Sequence, residues 1–489
     1  MNEKNTGAIT DARSLGIPKM LILGIQHTFA MFGATVLVPL LTGLDVSTTL
    51  LMAGLGTLLF HLITKGKVPA FLGSSFAFLG GYAAVAPAAG KDGMTQAELL
   101  PYACLGVACA GLLYLVLAAI IKVVGISRVM KFFPPIVTGP IIIAIGLSLA
   151  GSAVNNCQTC WPVAILALLT IVIFNIWGKG MAKIIPILLG ILVSVAVSIV
   201  LAVTCGQTVD FPQADGSIQQ YICLFGDANM KLFSVEKITA LQNAAWIGFP
   251  INSHEIVFGN VGNTSLAISS IIAIMPIALA TMMEHIGDIS AISATVGKNF
   301  IKEPGLHRTL LGDGLATILA SLFGGPANTT YGENTGVLVL TKVHDPKVIR
   351  IAACVAILLS MSPKVAECIS LLPDAVIGGI SFVLYGMISA IGVRNVVENH
   401  VDFAKSRNSI VAAVILVSAL GLGTVAIPLG GITIELTALA VASIAGIVLN
   451  AVLPGKDYVF DEEVPQETGV SFEIHDSVHG KQGAGDEEE

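Results

Sequence analysis

Residues 264–288 read TSLAISSIIAIMPIALATMMEHIGD: twenty residues without a charge, then Glu284-His285-Ile286-Gly287-Asp288. The uncharged run alone is long enough to cross about 30 Å of hydrocarbon as a helix. An acid at such depth costs roughly 2.5–3.5 kcal/mol at the helix centre, so it faces the protein interior and marks a substrate, proton or ion site. A second isolated acid, Glu333, lies in Thr329-Thr330-Tyr331-Gly332-Glu333-Asn334.

The rest of the chain agrees with a membrane reading. Of 489 residues 54% are hydrophobic and 12% charged, against about 25% charged in soluble domains. Fourteen apolar spans can be drawn. The first seven run 17–42, 46–64, 68–89, 98–123, 130–152, 161–178 and 184–205. The second seven run 264–287, 306–324, 327–343, 348–371, 373–393, 409–428 and 434–454. With both termini inside, only Lys91, Lys231, Lys237 and Lys364 of the 25 Lys and Arg residues fall outside, as the positive-inside rule requires. The expectation is an all-α polytopic membrane protein of 14 transmembrane segments arranged as 7+7 inverted repeats.

An odd number of spans per half inverts the second half, the layout of many secondary transporters. Phe133-Pro134-Pro135 opens the fifth span and Leu372-Pro373-Asp374 its counterpart, the twelfth. The third and tenth spans are also counterparts. Both carry small polar residues, Gly73-Ser74-Ser75 and Asn328-Thr329-Thr330, where a lipid-facing helix wants Leu. Matched interrupted segments point to a binding site near the midplane. The segment 206–263 reads as long, outer and amphipathic at best, and the acidic tail after Pro454 as solvated.

Glu284 and Asp288 are one helical turn apart and share a face. Close like charges in low dielectric favour a carboxyl that takes up a proton near neutral pH, the chemistry of a proton-coupled carrier. Asp288 has an alternative place at the inner mouth, paired with Lys298. His285 points away from Glu284 and suits packing. Glu333 follows Gly332, which lets a ligand approach the main chain; the alternative is a solvated inner loop. Phe76 and Tyr331 can stack on a planar ligand or serve as core. Gln26 and His27 in the first span bond across helices or touch ligand. Ser75 and Asn334 add polar support.

Cys157-Gln158-Thr159-Cys160 is a C-x-x-C without a second ligand pair, which fits incidental thiols or a local disulfide better than a metal site. No H-E-x-x-H, Walker A or nucleophile elbow is present, so neither an enzyme nor an ATP-driven pump is indicated. No cofactor, metal or nucleic-acid partner is called for. A passive channel remains the alternative class, although a buried carboxylate cluster suits a carrier better.

Several motifs resemble the nucleobase/ascorbate transporter family, nucleobase–cation symporter-2, on its uracil-carrying bacterial branch. Glu333-Asn334-Thr335-Gly336-Val337-Leu338-Val339-Leu340-Thr341-Lys342 fits its signature, and Gln26-His27, Gly73-Ser74-Ser75-Phe76-Ala77-Phe78 and Glu284-His285-Ile286-Gly287 resemble its first, third and eighth spans. The resemblance implies spans 3 and 10 broken with short β-strands that pair at the substrate site. It implies a core domain of spans 1–4 (17–123) and 8–11 (264–371), and a gate domain of spans 5–7 (124–205) and 12–14 (372–454). Around these lie a cytoplasmic N-terminus (1–16), an extracytoplasmic segment (206–263) and an acidic cytoplasmic tail (455–489).

The activity implied is proton-coupled uracil uptake across the cytoplasmic membrane by an elevator movement, in a homodimer. Glu284 and Glu333 would hold the base, with Phe76, Gly332 and Tyr331 around it. Glu284, Asp288 and His285 would serve proton coupling. Asp288 departs from the uracil branch, which carries His there, and resembles the xanthine, urate and ascorbate branches. A xanthine/purine–proton symporter is therefore the alternative. Glu333 favours uracil, because purine carriers typically have Gln at that position.

Overall fold

The computed structural model describes residues 9–85, 94–212, 218–423, 425–429 and 432–455. The expected acidic tail beyond Gly455, half of the N-terminal segment and Lys91 lie outside the described residues. The first part of the chain runs α1 (Ile17–Thr42), α2 (Val46–Ile63), β1 (Leu72–Ser74), α3 (Leu79–Val85), α4 (Gln96–Val124), α5 (Ile126–Met130), α6 (Pro135–Ser148), α7 (Ala150–Cys157), α8 (Trp161–Trp177), α9 (Met181–Ile184) and α10 (Pro186–Cys205). Next come β2 (Gly206–Pro212), β3 (Ile218–Leu224), β4 (Lys231–Ser234) and α11 (Val235–Asn243). The remainder is α12 (Thr264–Ile274), α13 (Ala278–Val296), α14 (Leu306–Leu322), β5 (Asn328–Thr330), α15 (Gly332–Thr341), α16 (Pro346–Ser360), α17 (Pro363–Ser370), α18 (Asp374–Glu398), α19 (Ser406–Gly421), β6 (Val425–Leu429), β7 (Ile432–Leu436) and α20 (Ala438–Val452).

Among the described residues, seven helical stretches are long and apolar enough to cross a membrane, or eight if the bent pair α16–α17 is one span. Shorter apolar helices of 10–17 residues add to these. Where one long helix was drawn over 348–371, α16 and α17 meet at 86°. Pro363 is the physical reason: it lacks an N–H and opens a new helix more easily than it continues one. The helix drawn to residue 287 instead runs to Val296, after a break at Met275–Ile277 where Pro276 interrupts the ladder. The ends of two further drawn spans, around 425–436, are strands: β6 pairs antiparallel with β7, and Val425, Ile427, Ile432 and Ile434 are residues that favour extended backbone. Residues 332–341 are helical, so Glu333 sits in a first helical turn and the irregular stretch stops at Tyr331. The segment 206–263 contains an antiparallel sheet ordered β2-β3-β4.

Helix packing falls mainly into two sets. In one, α14 packs along α4 and α2, α16 along α1 and α2, and α12 on α4. In the other, α18 packs on α6, α7 and α8, α10 on α8, and α19 on α6 and α20. Small residues let the backbones close. A Cβ on Gly314 would lie 2.5 Å from the Cβ of Tyr114 and 2.8 Å from the Leu115 side chain, so α14 has no room for a side chain where it meets α4. The apolar interior forms two large clusters, and Phe76 packs against both.

Candidate functional site

The site is built on two three-residue strands. Pro69 precedes β1, and Gly324-Gly325-Pro326 precedes β5. These residues deny helix to the chain on both sides. β1 and β5 pair antiparallel, Leu72 opposite Thr330, Gly73 opposite Thr329 and Ser74 opposite Asn328. The ladder extends one bond beyond each end: Ser75 N–H donates to Ala327 O and Tyr331 N–H to Phe71 O, both at 2.9 Å.

Two strands this short are not stable alone in water. Side chains from the surrounding helices supply what further strands would. Thr57 of α2 takes the Leu72 N–H at 2.9 Å and donates to Leu72 O at 3.1 Å. Thr317 of α14 donates to Asn328 O at 2.8 Å, and the Asn328 amide donates to Met52 O at 2.9 Å. The Tyr331 hydroxyl donates to Ser74 O at 2.8 Å. The Tyr331 ring lies over Gly73, where a Cβ would come within 2.4 Å of two ring carbons.

Each strand leads into a helix. After β1 comes a 3-10 turn, Phe76–Phe78, then α3; after β5, Tyr331 caps α15. The first N–H groups of α15 have no partner within the helix and form a donor surface with a partial positive charge. Glu333 stands in that first turn, its carboxyl against its own N–H. Glu284 of α13 lies within electrostatic range of Glu333 and Asp313, and Asp288 within range of all three. Glu284, Glu333, Phe76 and Gly332 are each partly exposed, although their neighbours in sequence are largely buried. Together they make a partly exposed, acid-bearing surface beside the strand pair.

Polar atoms without partners cluster here. Gln26 Oε1, Ser75 Oγ, Thr329 Oγ1 and Asn334 Oδ1 are buried with no hydrogen-bond partner within the protein. Buried polar groups are ordinarily satisfied, so each calls for a ligand or water. Other members are already engaged. The Asn334 amide donates to His27 O at 3.1 Å and lies 3.1 Å from His27 Nδ1, so His27 joins α1 to α15. Tyr331 is engaged by Ser74 of β1 and by Thr35 of α1. Asp288 is 7% exposed and two helical turns short of the end of α13, so it is interior rather than at a mouth.

His285 belongs to a chain that sequence reading missed. Its Nδ1 lies 3.1 Å from Thr330 Oγ1 and 3.4 Å from Asp313 Oδ2, with all three buried. Asp313 therefore lies behind β5. The available signal was Gly312-Asp313-Gly314, an acid between two residues that let helices close.

Comparison with known proteins shows the family. The family model Xan_ur_permease, described as "Permease family", matches residues 18–429. The chain belongs to this permease family. It is a multi-pass membrane transporter. It is 36% identical to the uracil permease of Bacillus caldolyticus over 96% of the chain and 98% of that protein. It is 38% identical to the uracil permease of Bacillus subtilis (strain 168), over 88% of the chain and 91% of that protein. With the putative pyrimidine permease RutG of Escherichia coli (strain K12) it shares 35% identity, over 92% and 93%. Among solved structures the permease fold resembles the transmembrane domain of the cyanobacterial bicarbonate transporter BicA, with a TM-score of 0.57, 16% identity and coverage of 90% and 99%. It also resembles murine Slc26a9 in the inward-facing state, with a TM-score of 0.56, 12% identity and coverage of 92% and 73%.

Proposed function

We propose that this permease carries uracil inward across the cytoplasmic membrane in symport with protons. The observation that carries the reading is the pair of partly exposed acids, Glu284 and Glu333, beside a strand pair ringed by unpartnered polar atoms. Uracil is planar, with two ring N–H donors and two carbonyl acceptors. Carboxylates accept from the N–H groups, the free N–H groups of α15 and the main chain near Phe76 donate to the carbonyls, and the Phe76 ring covers a face. A site that pairs specific hydrogen bonds rejects bases that leave its groups unpaired. The relatives named uracil permeases support this substrate.

In this reading Glu284 is the central base-binding and proton-linked acid, Glu333 the second base ligand, and Asp288 the coupling partner. His285, held by Thr330 and Asp313, ties α13 to β5. Gln26, Ser75 and Asn334 support the base through their free oxygens. Fourteen spans in two inverted sevens, with both termini cytoplasmic, follow from the apolar runs and the basic residues. The two packing sets support a core and a gate that move against each other in an elevator step, in a homodimer.

Uptake of labelled uracil into proteoliposomes tests this. Uptake should follow an inward proton gradient and fall at least a hundredfold in Glu284→Gln. Gradient-independent uptake removes the coupling. Competition by xanthine and not uracil transfers the substrate to the purine class, which Asp288 favours.

A further inference from the structure

Beyond its transport site, the protein displays an apolar patch on residues 244–250. Trp246 is 74% exposed, and Ile247 and Phe249 are each 82% exposed. Large apolar side chains this bare, three within four residues, mark an interaction surface rather than the scatter normal for a protein exterior.

The backbone of this segment is fixed. Gly248 N–H donates to Met361 O at 2.9 Å, and Lys364 N–H donates to Ala245 O at 3.0 Å. A Cβ on Gly248 would lie 2.5 Å from Pro363, so the segment sits directly on the α16–α17 corner. At its other end Asn252 N–H donates to Thr48 Oγ1, in the first turn of α2. The segment thus joins the ends of two neighbouring apolar helices.

The corner gives the depth. The two helices meet at 86°, so where α16 crosses the bilayer, α17 lies along its surface. α16 exposes Cys354, Leu358 and Met361, a stripe at helical spacing that ends at the corner. Trp246, Ile247 and Phe249 stand where that stripe stops. Beside them the Lys364 ammonium donates to Gln242 O at 3.1 Å and lies 5.7 Å from the Trp246 ring centroid. An aromatic and aliphatic group with a cation above it matches the layering of acyl chain, glycerol and phosphate.

We propose that residues 244–250 form an interfacial anchor, with Trp246, Ile247 and Phe249 inserted at the acyl–headgroup boundary of the outer leaflet and Lys364 at phosphate level. The occupant of the patch is lipid, because the patch continues the lipid-facing stripe of α16. The anchor holds the outer ends of α16 and α2 at one depth.

The wild-type protein, reconstituted in phosphatidylcholine vesicles doped with a lipid bearing a diazirine near its glycerol, provides the first test. Mass spectrometry should find cross-links on 244–250 and on the outer end of α16. A single-tryptophan variant, Trp161→Phe with Trp177→Phe, provides the second. Bromine near the glycerol end of the acyl chain should quench Trp246 at least twofold more than bromine near the terminal methyl, and aqueous iodide should quench it least. Label on α16 but none on 244–250 overturns the proposal, as does strong iodide quenching. Trp246 shielded from both quenchers, with no lipid label on 244–250, also overturns it, in favour of contact between copies.

Discussion

The two arms of the site share a backbone plan and differ in chemistry. Each is a three-residue strand leading into a helix. The β1 arm ends in Ser75 and Phe76, a hydroxyl and an aromatic. The β5 arm ends in Tyr331, Gly332 and Glu333, and its Thr330 reaches the His285–Asp313 pair. The β5 arm carries the charge, while the β1 arm provides a surface to press against. A repeated backbone therefore does not impose repeated chemistry: the strand pair fixes position, and a few side chains divide the work.

The strongest way to break this comparison is to exchange the chemistry. Glu333→Gln removes a charge-assisted bond worth about 1.5–3 kcal/mol, so uracil affinity should fall roughly 10- to 150-fold. Phe76→Ala should cost less, about tenfold, because it removes one aromatic face. Thermal stabilisation by uracil reads both. Equal losses would show that the arms share the work evenly.

Gly73→Ala tests the scaffold without touching an acid. The new methyl meets the Tyr331 ring and must displace it from Ser74 O. The expected cost is about 1–3 kcal/mol of overpacking, seen as a lower unfolding midpoint and weakened uracil binding. An unchanged midpoint would mean the ring moves aside freely.

The smallest effect concerns Glu255, in the segment that leads into α12. Its carboxyl accepts the Asp45 N–H at 2.9 Å and the Asn252 amide at 2.8 Å, and its backbone lies against Gly324, ahead of β5. Burial first, and then nearby Asp45, push its pKa up to about 7 despite those two donors. A carboxyl raised on folding binds more protons in the native state. Its stabilising contribution is full below about pH 4.5 and is lost as pH rises through about 7. The amide protection factors at 322–330, taken relative to the intrinsic exchange rate at each pH, should therefore fall over that range, and Glu255→Gln should flatten the dependence. No pH dependence in the wild type would free the β5 arm from this brace.

Different parts of the site were legible to different degrees. Long apolar runs showed the helices, because burial in lipid demands them. Gly73-Ser74-Ser75 and Asn328-Thr329-Thr330 showed where helix was unsuited, because small polar residues weaken it. The bend at Pro363 was hidden by apolar residues that continue on both sides of it. The sheet β2–β4 was hidden because its alternation is broken: Thr208-Val209-Asp210-Phe211 alternates, but the buried pairs Cys223-Leu224 and Leu232-Phe233 are consecutive. The His285–Asp313–Thr330 chain was illegible for a different reason: its members come from three elements that only tertiary packing brings together.

Phe76 touches both apolar clusters. Its surroundings depend on how far apart those clusters stand. A ligand that prefers one spacing must, by reciprocity, shift the population towards that spacing by the same free energy. If Phe76 covers the base as proposed, a substitution there that changes affinity in one conformation only must shift the liganded balance by that same free energy.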